Sequence, residues 1–272
     1  MLARWSGAPM FDRIGKKILL SLSTLIEMSD MLRRAFSEAG PVLTGRARPA
    51  RRVFFKQIYF TGLQALAIVI VIAVLIGAVI VSQVMSFASS GSSSLEGSGS
   101  IAGKILVWVV VREIAPLLTA LIVIARSGNA IATELGQMKL GGEIQLLRSM
   151  GISPDQYLVA PRIFGVTVAV AILSVYFASA TVAGGFLTAS AIWHIPFEQI
   201  LHGLASTIRL ADIFQLFFKS SALGMTISLI CCRKGLLVSR SATQIPQAAT
   251  GAVIQSLFAV FFIDGVLTFI FH

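Results

Sequence analysis

The sequence predicts an all-α integral membrane protein, with an N-terminal amphipathic helix in the membrane interface, five transmembrane helices, and short cytoplasmic helices between the second and third spans. Three observations carry this reading. Hydrophobic residues make up 56% of the 272-residue chain and charged residues only 12%, with a mean hydropathy of +0.87, far more apolar than a soluble domain. The apolar residues fall into five runs, each close to the ~20 residues that cross a bilayer. The net charge of +10 is concentrated at the N-terminus and beside the apolar runs. That distribution orients membrane proteins, so no nucleic-acid partner is expected.

The chain divides into residues 1–56 and 57–272. Phe11, Ile14, Ile18, Leu22, Leu25, Leu32 and Phe36 recur at helical spacing, with Lys16, Lys17, Arg33 and Arg34 on other faces. This run is too charged to span. It reads as a basic amphipathic helix lying in the inner headgroup layer, the alternative being a short soluble helix packed on a partner. The first seventeen residues contain Arg4, Asp12, Arg13, Lys16 and Lys17 and no clean apolar stretch, so no signal peptide is expected. Residues 40–52, GPVLTGRARPARR, break the helix with Gly and Pro and add four arginines. They read as a cytoplasmic linker.

No charge occurs from Gln57 to Leu95, and the first span is placed at about 64–86. A Gly/Ser loop follows. The second span, about 105–125, is interrupted by Arg112, Glu113 and Pro116. The third, about 163–190, contains Ala178, Ser179, Ala180, Ala183, Gly184 and Gly185, small residues that let another helix approach closely. A polar segment, His194–Asp212, precedes the fourth span at about 212–232, which holds Lys219; the fifth, about 250–271, holds Asp264. With the N-terminus in the cytoplasm, eighteen Lys and Arg face inward, against Lys104 and Arg209 outside. The C-terminus is then periplasmic.

Enzymatic and metal chemistry find little support. GSGSIAGKI at Gly97–Ile105 approaches a nucleotide-binding P-loop, but its glycine spacing is one residue too long and Ile105 stands where a Ser or Thr must hold magnesium. No cofactor is expected in this chain; ATP and magnesium would belong to a partner ATPase. His194, His202 and His272 have no cysteine or carboxylate at ligand spacing. Cys231 and Cys232 are adjacent inside an apolar run and read as packing or lipid-facing residues. No nucleophile–base arrangement stands out.

The polar stretch from Arg126 to Arg162 is more informative. Ser127–Met138 and Glu143–Met150 read as two short helices joined by Lys139–Gly142 and closed by Gly151 and Pro154. Their apolar positions, Ile131, Leu135, Met138, Ile144, Leu147 and Met150, require a surface to bury against. Docking onto another protein is favoured over folding back on the spans, with Leu135 and Met138 as anchors and Glu134, Lys139 and Glu143 at the contact.

The run REIAPLLTALIVIARSGNAIATELGQMK…EIQLLRSMGISPDQYLVAPR resembles, almost position for position, the signature of the MlaE family of ABC-transporter permeases. The likeness extends upstream through Gln57, Tyr59, Gly62 and LIGAVIVSQ (Leu75–Gln83), and downstream to Lys219 and FFIDGVLT (Phe261–Thr268). Many relatives carry a polar, often acidic residue where this chain has Gly141-Gly142, which weakens the expected N-cap of the second loop helix and leaves its first residue open. The resemblance implies a homodimeric permease of the bacterial inner membrane that binds a cytoplasmic ABC ATPase through the Arg126–Arg162 loop. It also implies a periplasmic MCE-domain partner, in some systems a STAS-domain subunit, and a phospholipid cargo whose transport maintains outer-membrane lipid asymmetry. A secondary lipid transporter and a non-transporting membrane anchor of a cytoplasmic complex are the alternatives; five spans without an internal repeat disfavour the first, and charges at four membrane positions disfavour the second.

Arg112, Glu113, Lys219 and Asp264 occupy a common level, roughly 10–12 Å below the outer surface of a core ~30 Å thick. An unpaired charge there is costly, so mutual pairing is expected, Arg112 with Asp264 and Glu113 with Lys219. This layer is assigned to the lipid pathway, at the mouth of a cavity formed between two copies by the first, second and fifth spans.

Overall fold

The structure, a computed structural model, describes residues 27–34, 37, 48–90, 104–194, 197–239 and 241–271. Among these residues there are helices and no strands. Five helices are long and apolar enough to cross a membrane: α2 (Arg51–Phe87), α3 (Leu106–Leu140), α5 (Asp155–Ile192), α7 (Leu210–Leu237) and α8 (Gln244–Phe271). Three shorter helices complete the set, α1 (residues 27–34), α4 (Glu143–Ser149) and α6 (Phe197–Thr207). Successive long helices alternate in direction. One end of the bundle carries α1, α4 and the α7–α8 connection, and is called the loop end below; the far end carries α6, the starts of α3 and α7, and the last turns of α8.

α5 is the central column. Of its most apolar window 61% is buried, against 28% for α2 and 17% for α8, which are therefore the outer helices. It packs along α2 on one side and α7 on the other, while α7 also touches α3 and α8. The α2–α5 seam is set by glycine. A Cβ on Gly77 would stand 2.0 Å from the Thr181 carbonyl oxygen, and one on Gly184 would stand 2.4 Å from that of Val74. The two backbones touch there, as the small residues near position 184 predict.

The helix ends differ from the sequence reading. α3 has 35 residues and α5 has 38, lengths of roughly 52 and 57 Å at 1.5 Å per residue. Both continue well past a ~30 Å apolar layer. The expected separate helix at 127–138 is thus the continuation of α3. Nothing in Ser127–Leu140 breaks the helix, and the chain turns only at Gly142, whose φ of +77° is a left-handed conformation open to glycine at little cost. α4 starts directly after it with no side-chain cap.

Three further differences follow the same logic. The linker residues from Arg48 are already helical and lead straight into α2. The segment after His194 contains α6, where Phe197, Ile200, Leu201 and Leu204 recur at helical spacing. α7 begins at Leu210, so Asp212 sits in its first turn and accepts the Arg209 amide at 2.9 Å. Residues 11–26 of the expected interfacial helix lie outside the described residues. Its last part, α1, packs Met28, Met31 and Leu32 on the chain's own core and is tied by Glu27 to Arg233 at 2.8 Å.

The seam gives a controlled test. Gly77→Ala is expected to destabilise the protein by about 1–3 kcal/mol through overpacking. Gly265→Ala, where a new Cβ meets nothing within 4 Å, is expected to be neutral or slightly stabilising, since alanine is the better helix former. Thermal unfolding of the two variants in detergent checks the difference; equal melting temperatures would refute the close seam.

Candidate functional site

Pro116 in α3 has no N–H to donate to the carbonyl of Arg112 four residues back. The helix is correspondingly wide here, Leu106–Ile114 forming π-type turns in which the Ala115 amide reaches back to Val110. The freed Arg112 carbonyl lies 3.5 Å from the Lys219 ammonium of α7. A proline in one helix thereby creates an acceptor for a lysine in another.

Lys219 is fully buried. Its ammonium lies 2.6 Å from Glu113 Oε2 and 3.0 Å from Asp264 Oδ1. It also donates to Thr268 Oγ1 at 2.8 Å; that hydroxyl has two acceptors within 2.8 Å for its single proton, Glu113 Oε2 and the Asp264 carbonyl. One cation thus draws α3, α7 and α8 together. Burying it is tolerable because the surrounding oxygens replace water, and removing a partner from such a group costs on the order of 3–5 kcal/mol.

Arg112 pairs elsewhere. Its Nη2 lies 2.7 Å from Asp212 Oδ1, and its guanidinium sits 5.3 Å from the centre of the Trp108 ring. The expected Arg112–Asp264 pair is therefore corrected. Arg112 and Glu113 are neighbours pointing to different sides of α3, and the Asp264 side is already taken by Lys219. The carboxylate that completes the layer, Asp212, was assigned by sequence to a polar connection. A signal was present: an acidic residue three positions after Arg209 fits the first turn of a helix. With Asp212 included, the layer holds the cations Arg112 and Lys219 and the carboxylates Glu113, Asp212 and Asp264, one formal negative charge in excess. Beside it, between α2 and α3, an apolar groove of about 430 Å³ runs along Leu75, Ile76, Val79, Ile114, Leu117 and Leu118. The arrangement can hold and exchange charged partners next to an apolar channel. No His/Cys/Asp/Glu cluster fit for a metal occurs among the described residues.

The loop end rearranges the expected docking set. Leu135 is completely buried, and Ile131 and Ile144 nearly so. α7 approaches so closely at Gly235 that a Cβ there would lie 2.8 Å from that of Leu135. Leu135 is thus a core residue and not an exposed anchor. Met138 is partly buried against the core. Glu134 pairs with Arg162 at 3.0 Å, and the Lys139 ammonium donates to the Leu236 carbonyl, where the last turn of α7 leaves carbonyls unpaired. Only Glu143, of the five residues proposed for this contact, is on the outer face of α4. That face also presents Leu146 and Met150, each 61% exposed, while Ile144 and Leu147 turn inward. Sequence reasoning named Met150 among the apolar positions and missed Leu146, although the spacing Glu143, Leu146, Met150 follows one helical face.

Comparison with known proteins places this geometry in context. Residues 54–270 match the family model described as Permease MlaE. The chain is similar to a probable ABC transporter permease protein of Synechocystis sp., at 30% identity over 81% of each chain. It is also similar to the chloroplastic protein TRIGALACTOSYLDIACYLGLYCEROL 1 of Arabidopsis thaliana, at 31% identity over 62% of this chain and 48% of that one. A probable ABC transporter permease protein of Rickettsia typhi is 28% identical over 79% of this chain and 82% of its own length.

The pairing is checked by double-mutant cycles read from thermal stability. Arg112→Ala with Asp212→Ala is expected to be non-additive, with a coupling of about 0.5–3 kcal/mol. Arg112→Ala with Asp264→Ala is expected to show the smaller coupling. The reverse ranking would restore the pairing first read from the sequence.

Proposed function

We propose, from the premise that the chain belongs to the MlaE permease family, that it is the membrane subunit of an ABC-type transporter for phospholipid or a related lipid. It works as a homodimer in a bacterial inner membrane with the loop end in the cytoplasm. There a separate ATPase supplies ATP and magnesium. Lipid passes between the membrane and a periplasmic MCE-domain carrier at the far end.

The observation that carries the lipid reading is the charge layer beside an apolar groove. A phospholipid joins a charged headgroup to apolar tails, and the Lys219 cluster and the α2–α3 groove offer both chemistries side by side. Glu113 precedes Ile114, Leu117 and Leu118 of the groove wall on the same helix. A headgroup can exchange with an ion-pair partner in the layer while its tails lie along the groove. The groove is open on one side, and the exposed Leu75, Val79, Phe258 and Phe262 suit closure by a second copy, which would enclose two acyl chains that one copy leaves uncovered. The Arabidopsis relative bears a galactolipid in its name, which supports a lipid cargo.

The ATPase is assigned to α4. Leu146 and Met150 supply apolar anchors, and Glu143 on the same face sets register. α4 sits at the end of α3, whose other half carries Glu113. Movement of the docked subunit therefore acts on a helix that reaches the charge layer.

Reconstitution with the ATPase in liposomes tests the proposal: ATP-dependent transfer of a fluorescent phospholipid to an acceptor is expected, and its absence from a folded, assembled complex would refute lipid transport. Leu146→Asp and Met150→Asp are expected to lower lipid-stimulated ATP hydrolysis at least tenfold, corresponding to about 1.4 kcal/mol or more of lost coupling, without altering the permease melting temperature. Leu135→Asp is expected instead to prevent stable folding, because it buries an unpaired charge.

A further inference from the structure

A second cavity, with charged residues on its wall, lies at the loop end, far from the charge layer. It encloses about 410 Å³ between α2, α3 and α5, and its walls include Lys56, Gln57, Phe60, Glu134, Tyr157 and Arg162. Glu113 and Glu134 are both on α3, twenty-one residues apart in sequence, a separation of roughly 31 Å at the helical rise. The two sites are distinct. We propose that this cavity binds the phosphate of a membrane phospholipid in the leaflet on the loop-end side. The proposal requires that the chain sit in a membrane, and it does not depend on lipid being transported.

Arg162 supplies the central observation. The residue is only 3% exposed, yet its guanidinium is incompletely used. Nη2 meets Glu134 Oε1 at 3.0 Å and Nη1 donates to the Leu158 carbonyl at 3.3 Å, while Nε has no acceptor. A buried N–H without a partner is costly, and such groups in folded proteins are normally satisfied. Here the unpaired donor belongs to a cation on the wall of a cavity large enough for a headgroup. Beside Phe60, though outside the cavity lining, the pattern recurs. The Arg126 guanidinium lies 5.6 Å from the centre of that ring, its Nη2 donates to Gln64 at 2.9 Å, and its buried Nη1 has no acceptor. The cavity wall itself carries two cations, Arg162 and the exposed Lys56, and one carboxylate, Glu134. An oxyanion in the cavity balances the excess positive charge of Lys56 and Arg162 over Glu134, and Arg is suited to phosphate because its N–H groups form a planar fork.

The level of the cavity favours a lipid over a dissolved ion. Lys56 is the last charge before the uncharged run of α2, Arg126 the first after that of α3, and Arg162 the last before that of α5. All three mark the boundary of the apolar layer on adjacent helices. Phe55 and Tyr59 are exposed on α2 at the same height, as aromatic residues are at a membrane interface. Boundary cations alone can simply reach toward water. Arg162 differs in being buried on the cavity wall with one N–H unsatisfied.

The experiment uses the full chain, purified and delipidated in detergent, with melting temperature and native mass spectrometry as readouts. Wild type, Lys56→Glu and the cavity-filling Ala130→Phe are titrated with phosphatidylglycerol, diacylglycerol and inorganic phosphate. Phosphatidylglycerol is expected to bind the wild type and to bind each variant at least fivefold more weakly, whereas diacylglycerol does not distinguish them. Protection by inorganic phosphate that both variants lose, with no discrimination of phosphatidylglycerol, would overturn the lipid assignment in favour of a soluble phosphate. Equal phosphatidylglycerol affinities in wild type and Lys56→Glu would overturn the site altogether. Since Lys56 is exposed on α2, that variant decides the matter even if Ala130→Phe does not fold.

Discussion

A buried ammonium governs the architecture of the far end. Lys219 has no exposure to solvent, so its charge must be met by protein oxygens in the membrane interior. Those oxygens come from Glu113 on α3 and from Asp264 and Thr268 on α8, which fixes the rotation of three helices about their axes. Pro116 contributes by what it lacks. By leaving the Arg112 carbonyl without its helical donor, it widens α3 at the position where Glu113 must turn toward α7. Arg112 meets Asp212 two turns earlier on the same α7, so neighbouring residues serve two separate ion pairs.

Packing without side chains governs the rest. At Gly77 and Gly184 the α2 and α5 backbones meet, and at Gly235 α7 meets α3. In a lipid environment there is little hydrophobic force between apolar helices, and close van der Waals contact has to supply the association. These seams also explain the interior of the loop end. Once α7 lies against α3 at Gly235, Leu135 is enclosed, and the surface left for a partner moves outward to α4.

The two polar regions share α3. Glu113 belongs to the charge layer and Glu134 to the Arg162 cavity, and an uninterrupted helix of 35 residues joins them. Its wide turns at Leu106–Ile114 and Ile124–Gly128 lie beside the charged residues of each region. Turns of this kind occur often at functional positions, because they re-aim side chains without ending the helix. A displacement of the loop end along α3 therefore has a continuous path to the ion pairs at the far end.

Much was legible in the chain itself. The five apolar runs, the charges within them and their common level follow from length, hydropathy and depth, which are local quantities counted along one helix; of the two pairs read from that level, only Glu113 with Lys219 is present. Glycine near position 184 announced a close approach but not its partner. What tertiary structure alone decided was the extent and neighbourhood of each helix. α3 runs to Leu140 because its polar continuation has α7 and α8 to pack against; Asp212 takes Arg112 because α7 starts at Leu210 and so includes it in the first turn; Leu135 is interior because Gly235 lets another backbone in. Each of these depends on which face of one helix meets which face of another. Hydropathy along a chain records depth in the membrane, and it contains no term for rotation about the helix axis or for the identity of the neighbour.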